Sequence, residues 1–457
     1  MTGVSVKHRI EHDSMGEVKV PAEALYGAQT QRAIDNFRFS SRTMPEMFIR
    51  RLALIKAAAA EANLALDLLP KVKADTIVSQ ALLVASGEHM GHFPIDVFQT
   101  GSGTSTNMNM NEVLARLAGN DVHPNDDVNL SQSSNDVIPT CLQVSTALEF
   151  EEVLLPALDL LAETIEQKAG DTSDIVKTGR THLMDAMPIT FGQELGGWAF
   201  QVRECIERFN DLMPRLRALP LGGTAVGTGV NCPPGFADLA IAAITRWSGS
   251  HFRAVENRFS RMAAQDVAVE CSAAMRGTAV VLMKVANDLR WMSSGPLSGL
   301  GEIELAPLQP GSSIMPGKVN PVVPEAVAMI AAEIMGNDVT IGIAGQSGNF
   351  QLNVMLPLIS YKLLSGTGLL ANACDAIGDT IAGFSVNEDN INESLRLNPI
   401  LVTALNSRIG YEAAAAIAKK AYAEKRPIID VAEEETDIPR TELEELMDPV
   451  WLARPDR

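Results

Sequence analysis

The stretch FGQELGGWAFQVRECIERFNDLMPRL, residues 191–216, repeats its apolar side chains in steps of three and four. The apolar positions are Leu195, Trp198, Val202, Cys205, Phe209, Leu212 and Leu216. Side chains at this spacing lie on one face of an α-helix, because the helix has about 3.6 residues per turn. The stretch therefore predicts one long amphipathic helix that buries this stripe.

Further segments follow the same pattern. A second stripe runs over 267–292, and its apolar flanks predict burial on most sides. A third helix is expected over about 139–168 with a kink at Pro156, because proline lacks the backbone N–H and clashes with the preceding turn. The others are expected from Pro324 to about Met335 and within 352–384. Long helices close together in sequence, with no alternation of strands and helices, predict an all-α fold built on a helix bundle.

Composition excludes several classes of protein. The 457 residues, 46% of them hydrophobic, are enough for buried cores in roughly three domains, at about 150 residues per domain. A formal charge of −19 argues against nucleic acid as the main partner, because an acidic surface repels phosphates. We also expect no membrane span, since no run of roughly 18 apolar residues is present.

The cysteines and the N-terminus predict a cytoplasmic location. The five cysteines are widely spaced and form no CxxC pair, which is typical of reduced thiols in the cytoplasm. The opening MTGVSVKHRIEHD is too polar for the apolar core of a signal peptide.

Loops of a different composition separate the helices. They are rich in Gly, Ser, Thr and Asn, and read TGSGTSTNMNMNE (100–112), HPNDDVNLSQSSND (123–136), KTGRTHLMDA (177–186), LGGTAVGTGVN (221–231) and QPGSSIMPGKVNP (309–321). A single such loop is explained by helix capping, but a set with one shared chemistry favours a binding role. Neutral donors, with Lys318 and Arg180 as positive groups, suit a carboxylate ligand. The neutral donors are Ser102, Thr104, Ser133, Ser134, Asn135, Thr181, Ser312, Ser313 and Asn320.

The glycine-rich loops do not fit nucleotide sites. The segment 311–320 differs from a phosphate-binding P-loop, because five residues separate Gly311 from Gly317 where the motif has four. Val319 also stands where that motif requires Ser or Thr. The segment GGTAVGTG lacks the GxGxxG spacing of a dinucleotide site. We therefore expect neither ATP nor a dinucleotide.

The histidines give little support for a metal. His89 and His92 are three residues apart but have no third ligand nearby in the sequence. His123 and Asp126 are better explained by a turn built at Pro124. We expect no metal ion.

His182 and Glu325 each have two interpretations. His182 lies in the donor-rich segment Gly-Arg-Thr-His, which we expect just before a helix, and is either structural or catalytic. Glu325 follows Pro324 at an expected helix start, where a carboxylate interacts favourably with the helix dipole. Alternatively, Glu325 orients a histidine and raises its basicity.

These motifs together resemble a known family. GSSIMPGKVNP resembles the signature of the fumarase/aspartase superfamily, and TGSGTSTNMNMNE, HPNDDVNLSQSSND, GRTHLMDA and GGTAVGTG resemble the corresponding loops of class II fumarases. The resemblance extends from EHDSMGEVKVPAEALYGAQTQRA near the start to ALNSRIGYEAAAAIAKKA near the end.

The resemblance implies an all-α subunit of three domains. These would be an N-terminal helical domain over 1–135, a central five-helix bundle over 136–388 and a small C-terminal helical domain over 389–457. Four identical subunits would form a twenty-helix core, and each active site would draw on three subunits. The resemblance implies no cofactor.

The resemblance also implies a reaction, the reversible anti-elimination of water from (S)-malate to fumarate in the tricarboxylic acid cycle. Ser312 would remove the C3 proton, with its pKa lowered by Lys318 and backbone N–H groups. The resulting aci-carboxylate would be stabilised by neutral donors and Lys318. His182 would act on the leaving hydroxyl, and Glu325 would orient it.

The binding residues follow from the same resemblance. The substrate carboxylates would be held by Ser102, Thr104, Ser133, Ser134, Asn135, Thr181, Ser313, Lys318 and Asn320. A second dicarboxylate site near the entrance would use His123, Asn125 and Asp126.

Two other functions stay open at this stage. Aspartate ammonia-lyase shares the loop that carries the base, here residues 309–321 and called the base loop, and it shares the aci-carboxylate chemistry. It differs in that it expels an amine. A non-catalytic structural or binding protein would predict a damaged base loop, whereas Ser312, Lys318 and Asn320 are all present. The sequence departs from common family patterns at Leu130, Asn120 and Gln351, which bears on affinity and assembly.

Overall fold

A computed structural model describes residues 7–119 and 121–454, and 63% of the chain is helical. Asn120 lies outside the described residues. The helices are α1 (Ala28–Asn36), α2 (Glu46–Ala65), α3 (Lys71–Ala85), α4 (Thr104–Ala118), α5 (Ser134–Glu149), α6 (Leu155–Asp171), α7 (Phe191–Leu216), α8 (Phe236–Ser248), α9 (Phe259–Met262), α10 (Asp266–Met292), α11 (Val322–Gly345), α12 (Leu356–Gly383), α13 (Glu388–Arg396), α14 (Asn406–Ile409), α15 (Tyr411–Glu424), α16 (Ile428–Glu435), α17 (Arg440–Leu446) and α18 (Pro449–Leu452). The all-α prediction is confirmed.

Within residues 7–119 and 121–454, the strands form only two-stranded pairs. They are β1 (His8–Asp13), β2 (Gly16–Pro21), β3 (Val176–Thr181), β4 (Met184–Thr190), β5 (Ala218–Leu219), β6 (Arg253–Ala254), β7 (Ile303–Glu304), β8 (Gly348–Asn349), β9 (Leu352–Asn353) and β10 (Ser385–Val386). The antiparallel pairs are β1–β2, β3–β4, β7–β10 and β8–β9, and β5–β6 is parallel.

The apolar stripe predicted the first long helix correctly. Helix α7 spans the whole quoted stretch, and every residue of its stripe is at most 2% exposed. Helix α10 begins at Asp266 and ends at Met292, as its own stripe predicts. Its flank departs from the expectation of burial on most sides, because Val280 is 54% exposed in the single chain.

A π-helical turn precedes Pro156, where the sequence predicts a kink. This turn, Phe150–Leu154, follows α5 directly and is followed by α6 at Leu155. Pro156 has no N–H to continue the α-helical ladder, and a wider turn just before it accommodates that loss.

Helix α11 is longer than predicted, because its polar residues are paired rather than exposed. Asp338 accepts hydrogen bonds from Ser272 Oγ and from Arg276 Nη1, both at 2.7 Å. Asn337 accepts one from Lys362 Nζ at 2.6 Å. Polar residues therefore continue the helix beyond Met335, where the apolar pattern alone ended.

The chain divides into two compact units. The first contains the described residues up to Pro156 together with Ile206–Ala279 and Ala332–Ala371, and in it α2 packs against α3, α5 and α8. The second contains Ala157–Cys205, Val280–Ala331 and the described residues from Asn372 onward. The division into three domains stays a prediction.

The last helices of the second unit have a hydrophobic core of their own. Its buried members come from the 3₁₀ turn Pro399–Leu405 and from α15, α16, α17 and α18, and include Leu405, Ile417, Val431 and Leu443. This core holds the C-terminal segment together as a small helical cluster.

Two further observations concern the chain as a whole. By length and composition, one described helix, α11, is apolar enough to cross a membrane, and only 28% of that stretch is buried in the single chain. Cys141, Cys232, Cys271 and Cys374 form no disulfide, and each of these four except Cys232 is buried.

Candidate active site

The start of α4 presents two hydroxyl groups from the predicted donor set. Ser102 Oγ and Thr104 Oγ1 are 2.7 Å apart, and Ser102 is 6% exposed. The backbone between them requires glycine, because Gly103 has a φ of +74° and a Cβ there would lie 2.8 Å from Ile138 Cγ2. The tight loop thus brings both hydroxyls to the first turn of the helix.

The start of α5 carries three more predicted donors. Ser133 is the N-cap residue, and its Oγ accepts from the backbone N–H of Asn135 at 3.2 Å. Ser134 and Asn135 occupy the first turn, and all three are half-buried. The Asn135 Nδ2 donates to the carbonyl of Ala225 at 2.9 Å, which holds this loop against the loop that contains GGTAVGTG.

Asp136 fixes both of these loops. One of its carboxylate oxygens accepts from the N–H of Ser133 at 2.9 Å, and the other accepts from Gly222 and Thr224 at 2.9 and 3.0 Å. Burial raises the pKa of Asp136, and the three N–H donors oppose that shift. Sequence reasoning missed this residue, although the spacing of Ser133 and Asp136 is that of a capping box.

Thr181 and His182 lie at the tip of the β3–β4 hairpin. Thr181 pairs with Met184, so His182 and Leu183 form a two-residue turn, with φ values of +55° and +63°. Tight hairpin turns of this kind favour Gly and Asn. The expectation that His182 stands just before a helix is therefore wrong, since β4 separates it from α7.

A buried group of charges anchors this hairpin. Glu302 accepts from Lys177 Nζ and from Arg180 Nη1, both at 2.7 Å, and Lys177 also reaches Glu194 at 2.7 Å. The side chains of Lys177 and Glu302 are 2% and 5% exposed. Arg180, expected to supply positive charge to a ligand, is instead paired with Glu302.

The loop that contains Ser312 is closed by its own backbone. Gly311 N–H donates to the carbonyl of Lys318 at 2.8 Å, and Asn320 Nδ2 donates to the carbonyl of Gly311 at 2.7 Å. A Cβ at Gly311 would lie 2.3 Å from the Lys318 carbonyl, so only glycine permits this closure. A cavity of about 410 Å³ is lined by Ser312, Met315 and Lys318, among others.

Within that loop, Ser312 accepts two backbone hydrogen bonds. Its Oγ receives the N–H groups of Ile314 and Met315 at 3.3 and 3.0 Å. N–H donors stabilise a deprotonated oxygen more than a hydroxyl, so they favour the alkoxide. Lys318 Nζ donates to Asn320 Oδ1 at 2.7 Å, which holds the ammonium group against Asn320 of the same loop.

Ser313 and Glu325 are both exposed. Glu325 lies in the first turn of α11, as expected. In the part of the chain that the structure describes, no hydrogen bond or ion pair joins His182 to Ser312, Lys318 or Glu325.

The predicted entrance-site residues form a cap. His123 precedes the π-helical turn Pro124–Val128, and its Nδ1 accepts the N–H groups of Asn125 and Asp126 at 3.3 and 3.1 Å. The Asp126 carboxylate lies 3.2 Å from the same nitrogen, and the His123 side chain is 55% exposed.

The candidate residues thus fall into two sets. The first unit holds Ser102, Thr104, Ser133, Ser134, Asn135, His123, Asn125 and Asp126. The second holds Thr181, His182, Ser312, Ser313, Lys318, Asn320 and Glu325. Direct hydrogen bonds join Ser102 to Thr104, Ser133 to Asn135, His123 to Asn125 and Asp126, and Lys318 to Asn320. Among residues 7–119 and 121–454, no group of three or more His, Cys, Asp and Glu side chains is placed to hold a metal ion.

Comparison with known proteins gives the family. Residues 16–336 match the family described as Lyase, and residues 401–454 match Fumarase C C-terminus. The chain is 57% identical to a class II fumarate hydratase of Pseudomonas aeruginosa, over 97% of this chain and 98% of that protein. It is 55% identical to one from Xylella fastidiosa, over 98% and 96%.

A solved structure agrees with these sequence matches. The class II fumarase of Schistosoma mansoni superposes with a TM-score of 0.96 and 36% identity, over 99% of this chain and 100% of that one. The chain belongs to the fumarase/aspartase family of lyases and, within it, to the class II fumarate hydratases.

Proposed function

We propose that the chain interconverts (S)-malate and fumarate by reversible anti-elimination of water. The observation that carries this proposal is the intact Ser312 loop, where two N–H groups point at the Ser312 hydroxyl oxygen and where Ser312 and Lys318 line the same cavity. A dicarboxylate needs several donors and little hydrophobic surface, and the exposed and half-buried hydroxyls and amides of the two sets provide them.

Ser312 is the base in this proposal. Its alkoxide takes the C3 proton, and the C–H electron pair moves into the neighbouring carboxylate to give an aci-carboxylate. Lys318 and the neutral donors stabilise the added charge, which exists only after proton removal. The electron pair then forms the double bond between C2 and C3 while the hydroxyl leaves C2.

His182 acts on that leaving hydroxyl. It supplies a proton directly or through a water molecule, so that water departs rather than hydroxide. Glu325 orients His182.

The substrate carboxylates are bound by Thr181, Ser313 and Asn320, together with the donors at the starts of α4 and α5. His123, Asn125 and Asp126 form a second dicarboxylate site.

A homotetramer with shared sites accounts for exposed apolar surface. Met329, Val339 and Ile343 of α11 are 68%, 62% and 55% exposed, at spacings that place them on one helix face. Leu183 beside His182 and Ile314 beside Ser312 are 62% and 84% exposed. Exposed apolar side chains of this kind indicate protein contacts, and their position beside candidate catalytic residues supports sites completed by other subunits.

The relatives disfavour the alternative of aspartate ammonia-lyase. The sequences that match at 50–57% identity are named class II fumarate hydratases. The thiols of Cys141, Cys232, Cys271 and Cys374, which form no disulfide, fit a reducing compartment, and this supports a cytoplasmic location.

The test supplies malate, fumarate and aspartate separately. Ultraviolet absorbance follows the unsaturated product, or its loss when fumarate is supplied. We expect turnover with malate and fumarate and none with aspartate. Release of ammonia from aspartate at a comparable rate would reject the proposal in favour of the alternative.

A further inference from the structure

A buried group of amides lies behind the loop that begins α5. Asn107 and Asn111 belong to α4 and Lys56 belongs to α2, and all three are 0% exposed. They meet at Asn129, whose Oδ1 accepts from Lys56 Nζ at 3.0 Å and from Asn107 and Asn111 Nδ2 at 3.1 Å each. The proposed mechanism uses none of these four residues.

The orientation of the Asn129 amide is fixed by groups that can bond in only one direction. Its Nδ2 donates to the carbonyl of Gln132 at 3.2 Å, and a carbonyl can only accept. Lys56 Nζ donates to Asn129 Oδ1 and to Gln132 Oε1, both at 3.0 Å. A protonated lysine can only donate, and a neutral amine still has two hydrogens for these two oxygens. The Asn129 oxygen must therefore face the lysine.

That orientation determines the next one. Asn107 must turn its Nδ2 toward the oxygen of Asn129, and the second hydrogen of the same Nδ2 points to Ser134 Oγ at 3.0 Å. The Ser134 oxygen therefore accepts a hydrogen bond from Asn107. The hydroxyl hydrogen of Ser134 is not used in that bond and can be donated to another acceptor.

We propose that Asn107 is a positioning residue that directs the Ser134 hydroxyl hydrogen toward a substrate carboxylate. This inference rests on the proposed function, because it assumes that Ser134 binds a dicarboxylate. A serine free to rotate could satisfy a buried acceptor instead of the substrate. With Asn107 donating to it, Ser134 is an oriented donor before substrate arrives, and binding needs no reorganisation of the hydroxyl.

Asn111 provides a matched control. It lies one turn further along α4, is equally buried and makes the same 3.1 Å bond to Asn129 Oδ1. In both residues the Oδ1 has no hydrogen-bond partner in the part of the chain that the structure describes. The other contact of Asn111 Nδ2 is Met108 Sδ at 3.5 Å, in its own helix. Of these two asparagines, Asn107 reaches Ser134 and Asn111 does not.

The experiment compares Asn107→Leu and Asn111→Leu in the full-length enzyme. Both remove one buried amide, so both should lower Tm by similar amounts. We expect Asn107→Leu to raise the KM for malate about tenfold, the effect of one hydrogen bond to a charged group, with kcat nearly unchanged because that contact exists throughout the reaction. Asn111→Leu should leave KM within about twofold of the wild type.

A double-mutant cycle with Ser134→Ala tests whether Asn107→Leu changes the KM through Ser134. If Asn107 acts through Ser134, Asn107→Leu should change KM little once Ser134 is alanine. Equal KM values for the Asn107 and Asn111 variants, or full additivity in the cycle, would overturn the inference.

Should Asn107→Leu fail to fold, Asn107→Asp is the second variant. The aspartate keeps the side-chain volume but can only accept hydrogen bonds, so it should raise KM at least as much. A wild type that does not turn over malate would reject the proposed function itself, which is a different result from additivity.

Discussion

His182 is the residue whose proposed role depends most on its backbone. It lies in the left-handed region at an exposed hairpin tip, next to another residue with positive φ. Non-glycine residues in that region cost about 1–2 kcal/mol each, so the surrounding structure must hold the turn. Sequence reasoning identified the residue from its neighbours Arg180 and Thr181 but not the hairpin that presents it.

Replacing His182 should affect the chemical step. We expect His182→Asn to lower kcat by about 10²–10⁴, the usual contribution of a general acid. Steady-state kinetics with malate measures this, and His12→Asn on β1 is the control for loss of an exposed histidine. A change in KM alone would show that His182 only positions substrate.

Lys56 makes stability depend on pH. Burial lowers its pKa to about 7, against an ordinary value of 10.5, although Asp136 and Cys141 act to raise it. Between pH 7 and 10.5 the lysine is therefore protonated in the unfolded chain and largely neutral in the folded chain. Because the unfolded chain binds more protons, the free energy of unfolding rises with pH in this range. The buried thiols, whose pKa values are raised, act in the opposite direction at higher pH, which limits the useful range to pH 7–8.

The expected effect of Lys56 over that range is small but measurable. It is about 1 kcal/mol per chain between pH 7 and 8, or about 1 °C in Tm for a chain of this size. Calorimetry at fixed protein concentration should show this rise in the wild type and not in Lys56→Met. Parallel pH profiles for the two proteins would contradict the assignment.

At the scale of elements, apolar periodicity predicted the helices whose stripes are complete. Helix α7 matches its stripe from Phe191 to Leu216, because its burial pattern is set by its own sequence. Periodicity failed for α11 beyond Met335, since the partners of Asn337 and Asp338 lie far away in the sequence. It also failed for the β3–β4 hairpin, whose turn is held by charges from distant segments and not by turn residues.

The candidate site, like the helices, could be predicted from the sequence only in part. The hydroxyls and amides are visible in the sequence as unusual loops. The orienting roles of Asp136 and Asn107 are not visible there: the capping-box spacing marks Asp136 only as a helix-cap residue, and both roles depend on which distant group each side chain faces.

The charge group behind the hairpin gives an element-scale prediction. Glu302→Gln removes the shared partner of Lys177 and Arg180, and leaves these two cations with Glu194 as the one remaining carboxylate of the group. Breaking such a pair costs about 3–5 kcal/mol, so Tm should fall by about 3–5 °C. Because the hairpin tip then loses its anchor, kcat should fall as well.

The control for that variant is Glu434→Gln. Glu434 also accepts from two cations, Lys420 and Arg426, but on an exposed surface where water replaces the lost contacts. Little change in Tm and none in kcat are expected. If Glu302→Gln behaved like Glu434→Gln, the anchoring role of Glu302 would be wrong.

At the scale of the whole molecule, the single chain leaves apolar surface uncovered along α11 and beside both His182 and Ser312. Soluble proteins rarely expose such patches without a partner. The homotetramer that we propose would cover them with copies of the same surfaces. In such an assembly, Ser312 of one subunit and His182 of another can belong to the same site.

Mixed tetramers test this claim most directly. Ser312→Ala and His182→Asn are each purified, shown to be tetrameric and almost inactive, then unfolded together in equal amounts and refolded. If the two residues of a site come from different subunits, about a quarter of the sites in random hybrids regain both, and activity returns to about a quarter of the wild-type value. Hybrid tetramers as inactive as the separate variants would contradict the shared site, and full activity of Ser312→Ala alone would contradict the base.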